Sequence, residues 1–282
     1  HTIPQRFFHK GRGAINYADR TVAWTITINQ DRYDIENAVF TDTLPAGLRL
    51  IPESVELNHA PVTVTGVTYH ASGPADSING FSVALPDGND EHVMTYVTQF
   101  DYDLDRYTAA TFRNDGSITW NYVGIGDTSV KTEEAEASYS PNSHTMNNGY
   151  KTGSYNTATQ RITWSILANY NSKKMSDATI VDELAAPQQF DASTLSIYEA
   201  AIDSNGSIVT PVAAGTLLTA GTDYTLTHDP ATNRLTISFH HEIDKPHFIQ
   251  FQTSLAGQVL NEATIANEAK LSATGLPENT LS

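Results

Sequence analysis

Apolar and polar residues alternate with a period of two along much of this chain. Val22, Trp24, Ile26 and Ile28 take one side of a segment whose other side is Ala23, Thr25 and Thr27, the pattern of a strand with one buried face. Ile162, Trp164 and Ile166 repeat it, and residues 224–227 and 235–239 alternate in the same way. Turn-forming clusters separate these runs: Leu44-Pro45-Ala46-Gly47, Pro86-Asp87-Gly88-Asn89-Asp90 and Asp229-Pro230-Ala231-Thr232-Asn233. Helical periodicity is nearly absent. Many short strands with this punctuation predict an all-β fold of immunoglobulin-like β-sandwich type.

The pattern occurs twice. Trp24-Thr25-Ile26-Thr27-Ile28-Asn29 returns as Trp164-Ser165-Ile166-Leu167-Ala168-Asn169, displaced by 140 residues. Ala38-Val39-Phe40-Thr41-Asp42-Thr43-Leu44 returns as Ala178-Thr179-Ile180-Val181-Asp182-Glu183-Leu184 at the same displacement. Solenoid units run to roughly 20–50 residues, so a repeat of this length is a whole domain. Two tandem sandwiches are expected, 1–140 and 141–282, joined at the polar stretch 138–144. Each is long enough to bury its own core.

Composition narrows the function. A net charge of −16 repels phosphate backbones and argues against nucleic acid as a partner. With no cysteine, disulfides, thiolate metal sites, cysteine nucleophiles and Cys–Gln thioesters are excluded. No apolar run reaches the ~18 residues of a membrane span, so no membrane insertion is expected of this segment, which reads as part of a longer chain.

The chemistry sits on the apolar faces. Alternation places Asp42 with Ala38, Phe40 and Leu44, and Asp182 with Ala178, Ile180 and Leu184. An unpaired carboxylate there is desolvated and its acid form favoured. Lys10 precedes Trp24 by 14 residues and Lys151 precedes Trp164 by 13, a matched pair among only seven lysines. Near the end of each copy an asparagine interrupts a strand-like run. Asn267 shares a face with Ile265, Ala269 and Leu271, and Asn121 lies between Trp120 and Tyr122; Asn114 and Asn261 compete with them. Lysine, aspartate and asparagine on early, middle and late strands are the parts of an intramolecular isopeptide bond. A desolvated amine is the nucleophile, the asparagine amide the electrophile, and the aspartate moves protons as ammonia leaves.

Residues 151–153, 162–166 with Asn169, 180–182 and 189–197 resemble, in order and spacing, the collagen-binding-type domain of Gram-positive surface adhesins. The first copy keeps the tryptophan strand and Asp42-Thr43-Leu44-Pro45-Ala46-Gly47 but diverges around Asn121. The resemblance implies an immunoglobulin-like sandwich with a Lys–Asn isopeptide. Carried over residue by residue, it implies Lys10, Asp42 and Asn121 in one domain and Lys151, Asp182 and Asn267 in the other.

Other motifs have plainer readings. Asp101, Asp103 and Asp105 lack the glycine turn and bidentate glutamate of a calcium loop and read as a solvated edge. His240-His241-Glu242 has no partner histidine at metal spacing and reads as a surface pair. Residues 276–280 match a sortase signal only superficially. Trp24 and Trp164 are core residues that also shield the reacting groups. No nucleophile elbow is present, so no hydrolase is expected.

The expected protein is therefore no enzyme beyond single-turnover self-crosslinking, and it needs no cofactor and no metal. It is expected to be an extracellular, cell-wall-anchored structural and adhesive segment among neighbouring repeats. The alternative is a head that clasps a host extracellular-matrix protein such as collagen. A carbohydrate-binding module is a third possibility, for which Tyr96, Tyr102 and Tyr107 could supply aromatic faces to a glycan.

Overall fold

The structure is a computed structural model that describes residues 7–71, 77–100, 111–258 and 265–282. The chain divides into two compact units, His1–Pro141 and Asn142–Ser282. Unit 1 contains β1 (Phe8–Asn16), β2 (Thr21–Ile28), β3 (Ile35–Thr43), β4 (Leu48–Leu57), β5 (Ala60–Pro61), β6 (Thr65–Tyr69), β7 (Ile78–Ala84), β8 (His92–Phe100), β9 (Phe112–Tyr122) and β10 (Lys131–Tyr139). They form two five-stranded sheets, β1-β2-β8-β4-β5 and β10-β9-β3-β7-β6.

Unit 2 opens with a single helical turn, α1 (Ser143–Met146), capped by Asn142. It continues through β11 (Gly149–Asn156), β12 (Arg161–Ala168), β13 (Thr179–Glu183), β14 (Gln189–Glu199), β15 (Tyr224–Asp229), β16 (Arg234–Phe239), β17 (His247–Ser254), β18 (Ala269–Ala273) and β19 (Leu276–Leu281). These form the sheets β11-β12-β17-β14 and β15-β16-β13-β18-β19. Each unit is an antiparallel sandwich of the expected immunoglobulin-like type.

The alternation is realised side chain by side chain. On β2, Val22, Trp24, Ile26 and Ile28 are all buried while the residues between them are not, and β8 alternates strictly along its whole length. Each sandwich encloses its own apolar cluster, around Trp24, Phe40, Phe81 and Tyr96 in unit 1 and around Trp164, Ile180, Ile249 and Phe251 in unit 2.

The asparagine that ends each tryptophan strand has a structural reason to recur. Asn29 and Asn169 both adopt left-handed backbone, φ 59° and 57°, a conformation asparagine tolerates better than most residues. Each is fully buried and closes the following turn with its own amide. Asn29 Oδ1 accepts from the Tyr33 N–H at 2.9 Å and its Nδ2 donates to the Tyr33 carbonyl at 2.8 Å. Asn169 does the same with Lys173, at 2.9 and 2.8 Å.

Corresponding strands follow from the pairing. Asp42 on β3 lies between Phe81 of β7 and Gly116 of β9; Asp182 on β13 lies between Leu235 of β16 and Ala269 of β18. Hence β9 corresponds to β18 and β7 to β16. In the opposite sheets Trp24 pairs with Tyr96 and Trp164 with Phe251, so β8 corresponds to β17.

Candidate functional site: a buried lysine, aspartate and asparagine in each domain

In domain 1 the site is assembled across the sandwich. Phe8 and Lys10 are the inward positions at the start of β1, so the Lys10 chain runs into the core and is only 3% exposed. Its Nζ donates to Asp42 Oδ2 at 2.6 Å and to Asn114 Oδ1 at 2.7 Å. Asp42 and Asn114 are themselves 1% and 0% exposed. Tyr96, from β8 of the facing sheet, donates its hydroxyl to Asp42 Oδ2, and that hydroxyl accepts from Asn114 Nδ2 at 3.0 Å. The four side chains form a closed polar ring inside an apolar core. One atom stands outside it: Asp42 Oδ1 is buried with no hydrogen-bond partner.

Gly116 makes room for the lysine. A Cβ there would stand 3.2 Å from Lys10 Nζ and 3.1 Å from the Phe40 ring. Above the amine lie two aromatic rings, Trp24 at 6.0 Å and Tyr96 at 5.9 Å from Nζ to centroid.

Domain 2 rebuilds the arrangement with one change. Lys151 Nζ donates to Asp182 Oδ2, with the lysine 6% and the aspartate 2% exposed. Trp164 and Phe251 cover the amine at 4.9 and 5.8 Å. The tryptophan comes closer than its counterpart because Gly153 faces it, where a Cβ would meet the ring at 2.5 Å. Asn267 lies just before β18 and close enough to Asp182 to favour its charged form weakly. Neither Asn267 Oδ1, Asn267 Nδ2 nor Asp182 Oδ1 has a hydrogen bond of good geometry, although all three atoms are buried. The asparagine is thus beside the aspartate but not yet bonded to it. The hydroxyl of Tyr96 has no counterpart, since Phe251 occupies its place.

Burial dominates the electrostatics of both pairs. It lowers the pKa of Lys10 and Lys151, an effect opposed by the neighbouring aspartate. It raises the pKa of Asp42 and Asp182, opposed by the lysine and, for Asp42, by the Tyr96 hydrogen bond. Both shifts favour the uncharged pair, an amine beside a carboxylic acid. In domain 1 such a pair has the groups needed for acyl transfer: a neutral nucleophile, an amide within hydrogen-bond reach and an acid that can carry protons between them.

Five of the six site residues expected from sequence are found in these two clusters: Lys10, Asp42, Lys151, Asp182 and Asn267. Asn121 is not. It lies seven residues from Asn114 on β9, an odd step that turns it to the opposite face, and its Nδ2 donates to the Thr128 carbonyl at 3.3 Å. Asn114 takes its place. Asn114 stands two residues before Gly116, the partner of Asp42, just as Asn267 stands two residues before Ala269, the partner of Asp182. The inward series Phe112, Asn114, Gly116 and Ile118 matches Ile265, Asn267, Ala269 and Leu271, a signal the sequence already carried. Asn261 lies outside the described residues.

From sequence Tyr96 is expected as an aromatic face for a glycan. It is 1% exposed and belongs to the buried ring instead. Tyr102, Tyr107, Asp101, Asp103 and Asp105 lie outside the described residues. His240, His241 and Glu242 are exposed, and the His240 ring bonds the Thr225 hydroxyl at 2.7 Å. Among the described residues no cluster of three or more His, Asp or Glu side chains is poised to hold a metal. No described helix is long and apolar enough to cross a membrane.

The family model for the collagen binding domain matches residues 5–122 and again residues 146–281. The chain belongs to that family, in both halves. Among solved structures, the collagen adhesin of Staphylococcus aureus is 14% identical with a TM-score of 0.34, over 93% of this chain and 85% of that one. The collagen-binding domain of an Erysipelothrix rhusiopathiae surface protein is 12% identical with a TM-score of 0.33, over 95% and 90%. A C-terminal fragment of the major pilin of Streptococcus agalactiae is 12% identical with a TM-score of 0.35, over 98% and 91%. A search of curated proteins gives no match.

Proposed function

We propose that this chain is a structural and adhesive segment of an extracellular bacterial surface protein. Each of its collagen-binding-type domains is locked by a self-formed isopeptide, Lys10 to Asn114 and Lys151 to Asn267, with Asp42 and Asp182 as proton shuttles. The observation that carries this reading is the approach of one buried lysine to both an aspartate and an asparagine at hydrogen-bond distance in domain 1, on a framework repeated in domain 2. Folding supplies the proximity that an enzyme would otherwise provide. Each site acts once, so the domain is its own substrate and not a catalyst.

The bond would join residues 104 apart in domain 1. By analogy with disulfide closure of a loop of ~100 residues, that stabilises the domain by about 4–5 kcal/mol. Because β1 and β9 lie in different sheets, tension on the chain would meet a covalent tie between them instead of ladder hydrogen bonds alone.

Intact mass tests the reading. Loss of one ammonia per bond lowers the mass by about 17 Da, so two bonds give about 34 Da. Asn114→Ala is expected to restore about 17 Da, whereas Asn121→Ala should leave the deficit whole. A wild-type mass equal to the sequence would remove the mechanism.

The rate of closure should also depend on pH in a particular way. The reactive state holds one proton between lysine and aspartate, on the carboxyl. Acid adds a proton to the amine and alkali strips the acid, so the rate is bell-shaped, and its limbs belong to the pair rather than to either group. Following the mass of newly synthesised protein across a pH series checks this; a rate that climbs steadily into alkali would exclude an acid role for Asp42.

A second reading, a collagen-binding head, is supported by the family. A shallow groove on the outward side of domain 1, lined by Thr41, Thr43, Arg113, Asp115 and Glu134 among others, has a counterpart in domain 2 lined by Val181, Glu183, Glu268 and Lys270. Binding of the purified chain to immobilised collagen separates this reading from a plain stalk.

A further inference from the structure

The two domains share lysine, aspartate, asparagine and tryptophan but differ in one polar group at the reacting atoms: Tyr96 in domain 1, Phe251 in domain 2. Among the described residues, the Tyr96 hydroxyl is the only group bonded to both the aspartate and the nitrogen that must leave. It donates to Asp42 Oδ2, the same oxygen that accepts from Lys10, and it accepts from Asn114 Nδ2 at 3.0 Å. From the geometry we infer that Tyr96 is a catalytic residue of domain 1, a proton relay from Asp42 to the departing ammonia. The inference rests on the isopeptide reading above.

The atoms balance as follows. The Lys10 amine, with two hydrogens, attacks Cγ of Asn114, forming the Nζ–Cγ bond and leaving the Cγ–Oδ1 electron pair on oxygen. The now positive Nζ gives one proton to Asp42 Oδ2 as that carboxyl gives up its own proton to the Tyr96 oxygen. The Tyr96 hydroxyl passes its proton to Asn114 Nδ2, which is no longer conjugated and has a free lone pair, and takes the proton from Asp42 in exchange. The Cγ–Nδ2 bond breaks as the carbonyl reforms. Ammonia leaves with two hydrogens from the amide and one from the lysine, and Asp42 and Tyr96 end as they began. Before attack, Nδ2 donates to the phenol; afterwards the phenol can donate to Nδ2. The hydrogen bond already in place needs only to reverse direction.

Among its described residues domain 2 has no such hydroxyl, so Asp182 would hand the proton to Asn267 itself. Its unpartnered Oδ1, facing an asparagine whose amide is also unpartnered, fits a direct transfer. The two domains therefore reach the same product by routes of different length, and domain 1 should depend on a group that domain 2 lacks.

Tyr96→Phe tests this with little structural cost, since domain 2 folds with phenylalanine at that position. The full chain and its variant would be made by cell-free synthesis and sampled over time. Peptide mapping would assign each ammonia loss to the Lys10–Asn114 or the Lys151–Asn267 pair. In Tyr96→Phe the domain 1 closure is expected to slow by at least ~10²-fold, in line with loss of one general acid–base group, while domain 2 closes at its wild-type rate. Circular dichroism and protease resistance of residues 1–141 would show that the variant is folded. A folded Tyr96→Phe chain that closes domain 1 as fast as wild type would overturn the relay. If the wild-type chain itself never forms the Lys10–Asn114 bond, the isopeptide reading fails, which is a different and separable result.

Discussion

Asp42→Ala is expected to leave domain 1 close to unfolding. The substitution strips Lys10, buried to 3% exposure, of its counter-charge, and removal of one partner from a buried pair costs ~3–5 kcal/mol. It also prevents closure of the Lys10–Asn114 loop, forfeiting a further ~4–5 kcal/mol. Together these approach the ~5–15 kcal/mol by which a whole domain is stable. The first figure is an upper bound, because Lys10 can shed its proton into a site that already lowers its pKa. Asp42→Asn separates the two contributions. The amide keeps the shape and can still accept from Lys10 and Tyr96, which leaves no orphaned donor once the buried lysine sheds its proton, but it cannot carry a proton, so the loss is mainly that of the closure. Domain 1 should then melt lower by on the order of 10–20 °C, with the intact mass higher by about 17 Da. Calorimetry and mass spectrometry of the two variants check this, with exposed Glu53→Gln as the neutral control. An Asp42→Asn chain that still loses two ammonias would take Asp42 out of the chemistry.

Much of this site was legible in the sequence because β-strands report their facing directly. A period of two placed Asp42 and Asp182 inside, and repetition at 140 residues distinguished a shared role from chance. Lys10 and Lys151 followed from the same alignment. The position of Asn121 outside the cluster has a physical source. By local texture, Trp120-Asn121 resembles a strand interrupted by an amide as well as Arg113-Asn114 does. Register against Asp42 decides between them, and register is a property of strand pairing that only the folded sheet displays. Tyr96 was illegible for a related reason. On β8 it alternates with threonines and valines and reads as an ordinary inward aromatic. Only the facing of two sheets brings its hydroxyl to a carboxylate 54 residues away in sequence. Phe251, its partner by register, gave no warning, since the two copies differ there by one oxygen.

Trp24→Ala is expected to slow domain 1 closure more than its packing role alone explains. The indole is fully buried, donates Nε1–H to the Thr98 hydroxyl at 2.9 Å, and stands 6.0 Å from Lys10 Nζ. Its truncation costs ~3–5 kcal/mol of stability as a cavity. That cavity would also admit water to the Lys10–Asp42 pair. Lysine and aspartate with their ordinary values of 10.5 and 3.8 share one proton so that it sits on the amine in all but roughly one molecule in several million. Burial works on that ratio from both ends, lowering the one value and raising the other. Hydration moves both back toward their ordinary values and lowers the share of the reactive amine–acid form, so a loss of at least ~10-fold in rate is expected. Alkali should not restore it. Raising the pH removes protons from the pair as a whole, whereas the reactive form differs from the resting one only in where a single proton lies. Trp24→Phe, which keeps an apolar ring over the amine, should fall between. If Trp24→Ala loses stability yet closes at the wild-type rate, the tryptophan is packing alone and the dryness of the site is maintained by other residues around it.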